Sequence, residues 1–167
     1  MSLIDAIIIG LVQGITEFLP ISSSGHLVIF QNLLNINFPR NLIEVAAHLG
    51  TLLSIILIYW KEILNLIINI RLENTRKYIL FLIIGTLPSV FFVLSAKSFI
   101  LEMFESIKSV SLALIITGFV LFLSNLASKR NENINLNKGL FIGLAQACAI
   151  IPGISRSGMT ISAALIS

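Results

Sequence analysis

Glu17-Phe-Leu-Pro-Ile-Ser-Ser-Ser-Gly-His26 breaks an apolar run with a proline, three serines, a glycine and two ionisable side chains. A second interruption of this kind, Pro152-Gly-Ile-Ser-Arg-Ser-Gly158, lies 133 positions further on. That offset superposes Leu11 on Leu144, Gln13 on Gln146, Ile21 on Ile154, Ser22 on Ser155, Ser24 on Ser157 and Gly25 on Gly158. Pro20 and Pro152 fall one step out of register, so the repeat is imperfect. Each proline ends its apolar run before it is long enough to cross a bilayer, which takes about 20 residues. Backbone groups freed at such a break are tolerated in a membrane only where they are buried in protein or face a wet cavity. The pattern therefore predicts a re-entrant helix pair over 1–30, with Met1–Leu19 and Ile21–Phe30 as its arms. It predicts another from Gly139–Ile151 and the stretch after Gly158.

Composition agrees with a membrane setting. The chain is 56% hydrophobic and 11% charged, with a mean hydropathy of +0.99, against roughly 25% charged residues in an average soluble protein. The net charge of +3 comes from 11 basic residues scattered over short connections. They form no stripe or patch for a nucleic acid, which excludes that partner class, and serve instead as topology signals. One cysteine, Cys148, permits neither an internal disulfide nor a thiolate metal cage. The N-terminus lacks a basic residue before its apolar stretch, which Asp5 and Gln13 interrupt, and this argues against a cleaved signal peptide.

Three further stretches are long and apolar enough to span: Leu42–Trp60, Tyr78–Ala96 and Ser109–Ala127. The connections between them carry four basic residues (61–77), two (97–108) and three (128–138), while 31–41 has only Arg40. Counting positive charge puts 61–77 and 128–138 in the cytoplasm. The expected architecture is an all-α, polytopic integral membrane protein with an inverted-topology repeat. Residues 1–132 form the first repeat and 133–167 the opening of the second. An odd number of crossings inserts the second unit upside down, so the two broken tips can meet near the midplane. A second unit as long as the first would run well past Ser167, which leads us to expect a C-terminally truncated chain.

Ionisable groups in apolar segments are costly and mark function; here they are Glu17, His26, Glu44, His48 and Arg156. Glu17 follows Gln13 by four residues on one helical face, as His48 follows Glu44. Arg156 lies between serines and glycines, where a guanidinium can hold phosphate or carboxylate oxygens bidentately and backbone N–H groups add donors. Ser22, Ser23 and Ser24 offer a candidate nucleophile or phosphate ligand, with His26 a candidate proton acceptor or donor. Plainer roles stand beside these. Glu17 and His26 could satisfy backbone freed by Pro20, the serines could cap helices, His48 could be a core histidine, and Arg156 could pair with Glu17.

The segments Gln13-Gly-Ile-Thr-Glu-Phe-Leu-Pro-Ile-Ser-Ser-Ser-Gly-His26, Glu44-Val-Ala-Ala-His-Leu-Gly50 and Pro152-Gly-Ile-Ser-Arg-Ser-Gly158 resemble the undecaprenyl-diphosphate phosphatases, the bacitracin-resistance membrane proteins of bacteria. The resemblance implies a multi-pass hydrolase of the bacterial cytoplasmic (inner) membrane. Such an enzyme takes the terminal phosphate from a polyprenyl diphosphate lipid and recycles the carrier for cell-wall synthesis. It also implies a divalent cation, Mg2+ or Ca2+, and a homodimer. By motif position it makes Glu17, Ser23 and His26 catalytic and gives Glu17 and Gln13 to the metal. Arg156, with Ser22, Ser24, Ser155, Ser157, Gly25 and Gly158, goes to the substrate.

In this scheme Arg156 and the cation neutralise the diphosphate, Ser23 attacks phosphorus or orients water, and His26 moves the proton. Two other readings fit an inverted repeat with broken helices: a transporter or flippase for an anionic lipid, and an inactive, truncated member of the family.

Overall fold

A computed structural model describes residues 1–126 and 136–167, in which there are nine helices and no strand. In chain order they are α1 (Leu3–Thr16), α2 (Ser23–Leu33), α3 (Arg40–Ile58), α4 (Trp60–Ile68), α5 (Glu73–Ser95), α6 (Lys97–Glu105), α7 (Ile107–Ser124), α8 (Leu136–Cys148) and α9 (Arg156–Ile166). Ser2 and Asp5 open α1 with a capping box: the Ser2 amide donates to Asp5 Oδ2 at 2.6 Å and the Asp5 amide to Ser2 Oγ at 3.1 Å.

The internal repeat is visible in the element bounds. Adding 133 to the limits of α1 and α2 gives 136–149 and 156–166, which coincide with α8 and α9 to within one residue. Between the two hairpins lie the helices long and apolar enough to cross a membrane: Asn41–Ile58, Glu73–Ser95 and Ile107–Ser124. These overlap the predicted spans, although the end of the third, at Ala127, falls outside the described residues.

Two predicted connections are corrected. Residues 61–77 hold α4 and the start of α5, and residues 97–108 hold α6 and the start of α7. In α4 the apolar Trp60, Ile63, Leu64 and Ile67 recur at helical spacing opposite Lys61, Glu62 and Asn65, so a charged segment still folds as an amphipathic helix. None of α4 is buried. In α6, Ile100 is buried and the helix packs on α7 and α3. The predicted connection 128–138 lies outside the described residues up to 135, and Lys138 is in α8.

Burial is inverted relative to a water-soluble protein. Leu, Ile and Phe side chains cover the outside of every long helix, whereas Gln13, Gln31, Thr51, Thr117, Ser124, Ser155 and Ser162 are buried. An apolar solvent removes the drive to hide leucine and makes small and polar residues the natural helix contacts. The small apolar core that does exist, Ile9, Leu27 and Ile43 with Val12, Phe30 and Ala47 packed on it, joins α1, α2 and α3.

The α5–α8 pair is the most extensive helix contact. It depends on glycine: a Cβ at Gly143 would stand 2.7 Å from the Gly85 carbonyl oxygen and 2.9 Å from Gly85 Cα. Close by, Gln146 Nε2 reaches Ser89 Oγ at 3.3 Å and the Gly85 carbonyl at 3.5 Å. This is next to Pro88, which interrupts the α5 hydrogen-bond ladder. Gly143→Val drives side-chain atoms into backbone that cannot yield. It should lower the stability of the detergent-solubilised chain by about 1–3 kcal/mol in a denaturant titration, as overpacking does.

Candidate functional site

The two breaks reverse the chain differently, and the prolines explain why. In the second break Gly153 takes a left-handed φ of +97° directly after Pro152. The position equivalent to Gly153 in the first break is Pro20, whose ring confines φ to near −65°. There the left-handed residue is Ser22, at φ 67°. Each break then starts its second helix with a serine cap. Ser22 Oγ accepts from the Gly25 amide at 3.4 Å and Ser155 Oγ from the Gly158 amide at 3.1 Å. A second hydroxyl two residues on stands beside each cap, Ser24 at 3.2 Å from Ser22 and Ser157 at 3.3 Å from Ser155.

The breaks meet. The Gly153 amide donates to Ser24 Oγ at 3.4 Å, and Ser157 Oγ donates to the Leu19 carbonyl at 3.3 Å. Gly25 lies against Gly153 closely enough that a Cβ on Gly25 would stand 2.9 Å from Gly153 Cα. Both rest on α7. A Cβ on Gly153 would meet the Val110 carbonyl at 2.5 Å and Ala113 Cβ at 2.8 Å, and Leu114 touches Gly25. From the same face the Thr117 hydroxyl donates to the Gly153 carbonyl at 2.9 Å and accepts from the Ser155 amide at 3.1 Å.

Beside this junction opens a cleft of about 860 Å³. Its polar wall carries Glu17, Ser23, Glu44, His48, Ser155 and Arg156, and its apolar wall includes Leu52, Ile55, Val93 and Phe104. Glu17, the C-cap of α1, is the focus. Its Oε2 accepts from Ser23 Oγ at 2.5 Å and from Gln13 Nε2 at 3.1 Å, and lies 3.4 Å from His48 Nε2. Gln13 also donates to Thr51 on α3 at 3.3 Å, tying the carboxylate to the first crossing. His48 Nδ1 is 2.9 Å from the Glu44 carbonyl, one turn back on α3.

Of the residues singled out in the sequence, Glu17, Ser22, Ser23, Ser24, Ser155, Arg156 and Ser157 line this one cleft, together with Glu44 and His48. Arg156 is not inside a break: it is the first residue of α9. It does not pair with Glu17; among the described residues the basic side chain beside Glu17 is His48.

Among the described residues His26 makes no hydrogen bond to Ser23, and it is not part of the cleft lining. Its Nδ1 lies 2.8 Å from the Ser22 carbonyl, i−4 on its own helix, where it braces the serine turn. Gly25 and Gly158 are packing positions rather than cleft walls, Gly158 fitting between the Ser155 side chain and the Pro20 carbonyl. Gln13 is 1% exposed, behind Glu17, and its Oε1 has no hydrogen-bond partner among the described residues.

Two contributors escape a reading of the sequence. Thr51 and Thr117 are single hydroxyls inside apolar crossings, and their only signal is polarity in such a segment. The pairing of His48 with Glu17 is likewise new. Its signal is the Glu44/His48 spacing, which puts both on one face of α3.

Known proteins resemble this chain closely. A family model described as "Bacitracin resistance protein BacA" matches residues 6–167. Curated proteins named "Undecaprenyl-diphosphatase" are similar along almost its entire length. The one from Halothermothrix orenii is 39% identical over 170 residues, covering 99% of this chain and 64% of the relative. The one from Desulforapulum autotrophicum is 36% identical, covering 100% and 68%, and the one from Carboxydothermus hydrogenoformans is 39% identical, covering 99% and 63%. The chain thus spans about two thirds of the length of these relatives.

The geometry of the first break makes a contrast at Ser22 testable. Ser22→Gly removes a weak cap but suits a left-handed φ, and should leave thermal stability in detergent almost unchanged. Ser22→Val combines a β-branched side chain with that φ and leaves the Gly25 amide without its acceptor. It should cost about 1–3 kcal/mol in the same unfolding measurement.

Proposed function

Because the chain belongs to the bacitracin resistance protein BacA family, we propose that it removes the terminal phosphate of a polyprenyl diphosphate such as undecaprenyl diphosphate, in the cytoplasmic membrane of a bacterium. The observation that carries this reading is the 2.5 Å hydrogen bond from Ser23 Oγ to Glu17 Oε2, in a cleft that Arg156 also lines. A hydroxyl donating to a carboxylate is a nucleophile beside its base. A guanidinium lining the same cleft suits the phosphate such a nucleophile would attack.

The proposed steps use this chain's own groups. Arg156, with the serine hydroxyls around it, binds the diphosphate oxygens. Ser23 Oγ attacks the terminal phosphorus as its proton passes to Glu17 Oε2, and the bond to the bridging oxygen breaks, releasing polyprenyl phosphate. Water then attacks the serine phosphate, the serine oxygen recovers a proton from Glu17, and inorganic phosphate leaves. In this scheme Glu17 takes the proton role first considered for His26. His26 supports the Ser22 turn instead, and His48 and Gln13 hold the carboxylate in place.

The donor set fits a hard divalent cation. Glu17 offers a second carboxylate oxygen, Gln13 Oε1 is a buried oxygen without a hydrogen-bond partner among the described residues, and no group of three His, Cys, Asp or Glu forms a complete cage among them. Such a site suits Mg2+ or Ca2+ completed by substrate phosphate oxygens. Held by Glu17 and Gln13, the cation would supply neutralisation of the charge that builds on the phosphate.

Phosphate release from farnesyl diphosphate or undecaprenyl diphosphate in detergent tests the proposal. The wild-type chain should release phosphate, and release should fall on chelation and return with Mg2+ or Ca2+. Arg156→Ala should slow it by about 10²–10³-fold, as loss of a preorganised charge partner does, and Ser23→Ala by at least as much. Substrate binding without metal-dependent release, undiminished by Ser23→Ala, would overturn the phosphatase reading in favour of a carrier.

A further inference from the structure

We infer that Thr117 is a positioning residue for the anion site: its hydroxyl, bonded to both sides of the second break, fixes where α9 begins and so where Arg156 aims. The inference rests on the anion-binding role proposed for Arg156.

Thr117 lies in the middle of α7 and is 3% exposed. A hydroxyl inside a helix ordinarily bonds back to the carbonyl four residues earlier. Thr16, Ser54, Thr86 and Ser95 all do so in this chain, to Val12, Gly50, Leu82 and Phe91. Thr117 instead reaches across to a segment 36 to 38 residues away, donating to the Gly153 carbonyl at 2.9 Å and accepting from the Ser155 amide at 3.1 Å. One hydroxyl can satisfy a carbonyl and an amide together because it has both a proton and lone pairs.

What this bridge holds is the backbone immediately before Arg156. Gly153 is the left-handed residue of the break, and Ser155, 1% exposed, caps α9. The Arg156 guanidinium has no ion pair or hydrogen bond among the described residues. The space its head can reach is therefore set by where its backbone starts, and Thr117, alongside the Ser24 bond to the Gly153 amide, holds that backbone. The neighbouring contacts from Val110, Ala113 and Leu114 are steric and set distance rather than direction.

The test is a double-mutant cycle between positions 117 and 156, read by calorimetric binding of inorganic pyrophosphate to the detergent-solubilised chain, with phosphate release from farnesyl diphosphate measured in parallel. Thr117→Val keeps the shape and removes both bonds. It should weaken pyrophosphate binding by about ten- to a hundredfold, the scale expected of a misplaced ligand group. Thr117→Ser should bind like wild type. In an Arg156→Ala background Thr117→Val should have no further effect, because the group it positions is gone. Thermal unfolding checks that each variant is folded, and Thr117→Ala removes the same hydroxyl if the valine variant is not.

Wild-type binding by Thr117→Val, or an equal loss in both backgrounds, would overturn the inference and leave the phosphatase reading intact. Pyrophosphate binding unchanged in Arg156→Ala alone would overturn the anion-binding role of Arg156, and this inference with it. Coupled binding without phosphate release would uphold the inference while counting against the phosphatase reading.

Discussion

A helix interrupted in apolar surroundings has to find partners for its freed backbone groups without water. This chain does it twice, and each interruption helps to solve the other. Gly153 offers its amide to Ser24, Ser157 donates to the Leu19 carbonyl, and Thr117 closes the remaining gap at Gly153 and Ser155. The junction requires small residues, since Gly25 and Gly153 have no room for a side chain. The cleft exists because these two breaks are held side by side against α7.

The consequence for function is a division of chemistry between equivalent positions. Under the 133-residue offset, Ser23 corresponds to Arg156 and Glu17 to Ile150. Both Glu17 and Ile150 line the cleft, so one break presents a hydroxyl with its carboxylate and the other presents a cation against an apolar neighbour. On the phosphatase reading proposed above, an anionic group bound in the cleft would meet both the Ser23–Glu17 pair and the Arg156 charge. Two identical breaks would place like chemistry on both sides.

Much of this is legible in the order of the residues. The offset alone locates α8 and α9, because proline, glycine and serine interrupt an apolar run in a way that leaves few alternatives. The cost of a charged group within an apolar segment marks both Glu17 and Arg156 as candidate site residues. Other features depend on three dimensions. The Glu17–His48 pair joins helices whose relative rotation no spacing encodes, and the two bonds of Thr117 depend on how α7 faces a break more than thirty residues away. The ring contact of His26 is another such feature, since the Ser23–His26 spacing does not say which neighbour the imidazole meets. It lies against the Ser22 carbonyl at i−4. The amphipathic α4 hides in a stretch expected to be a connection, because its charges outweigh its periodicity to the eye.

The central claim is that Ser23, activated by Glu17 in the cleft that Arg156 also lines, is the group that takes the phosphate. Acid-quenched single-turnover reactions with farnesyl diphosphate labelled in its terminal phosphate, followed by peptide mapping, address it directly. The account predicts transient label on Ser23, absent from Ser23→Ala. Phosphate released at the full rate with no label on the chain at any time point would contradict it.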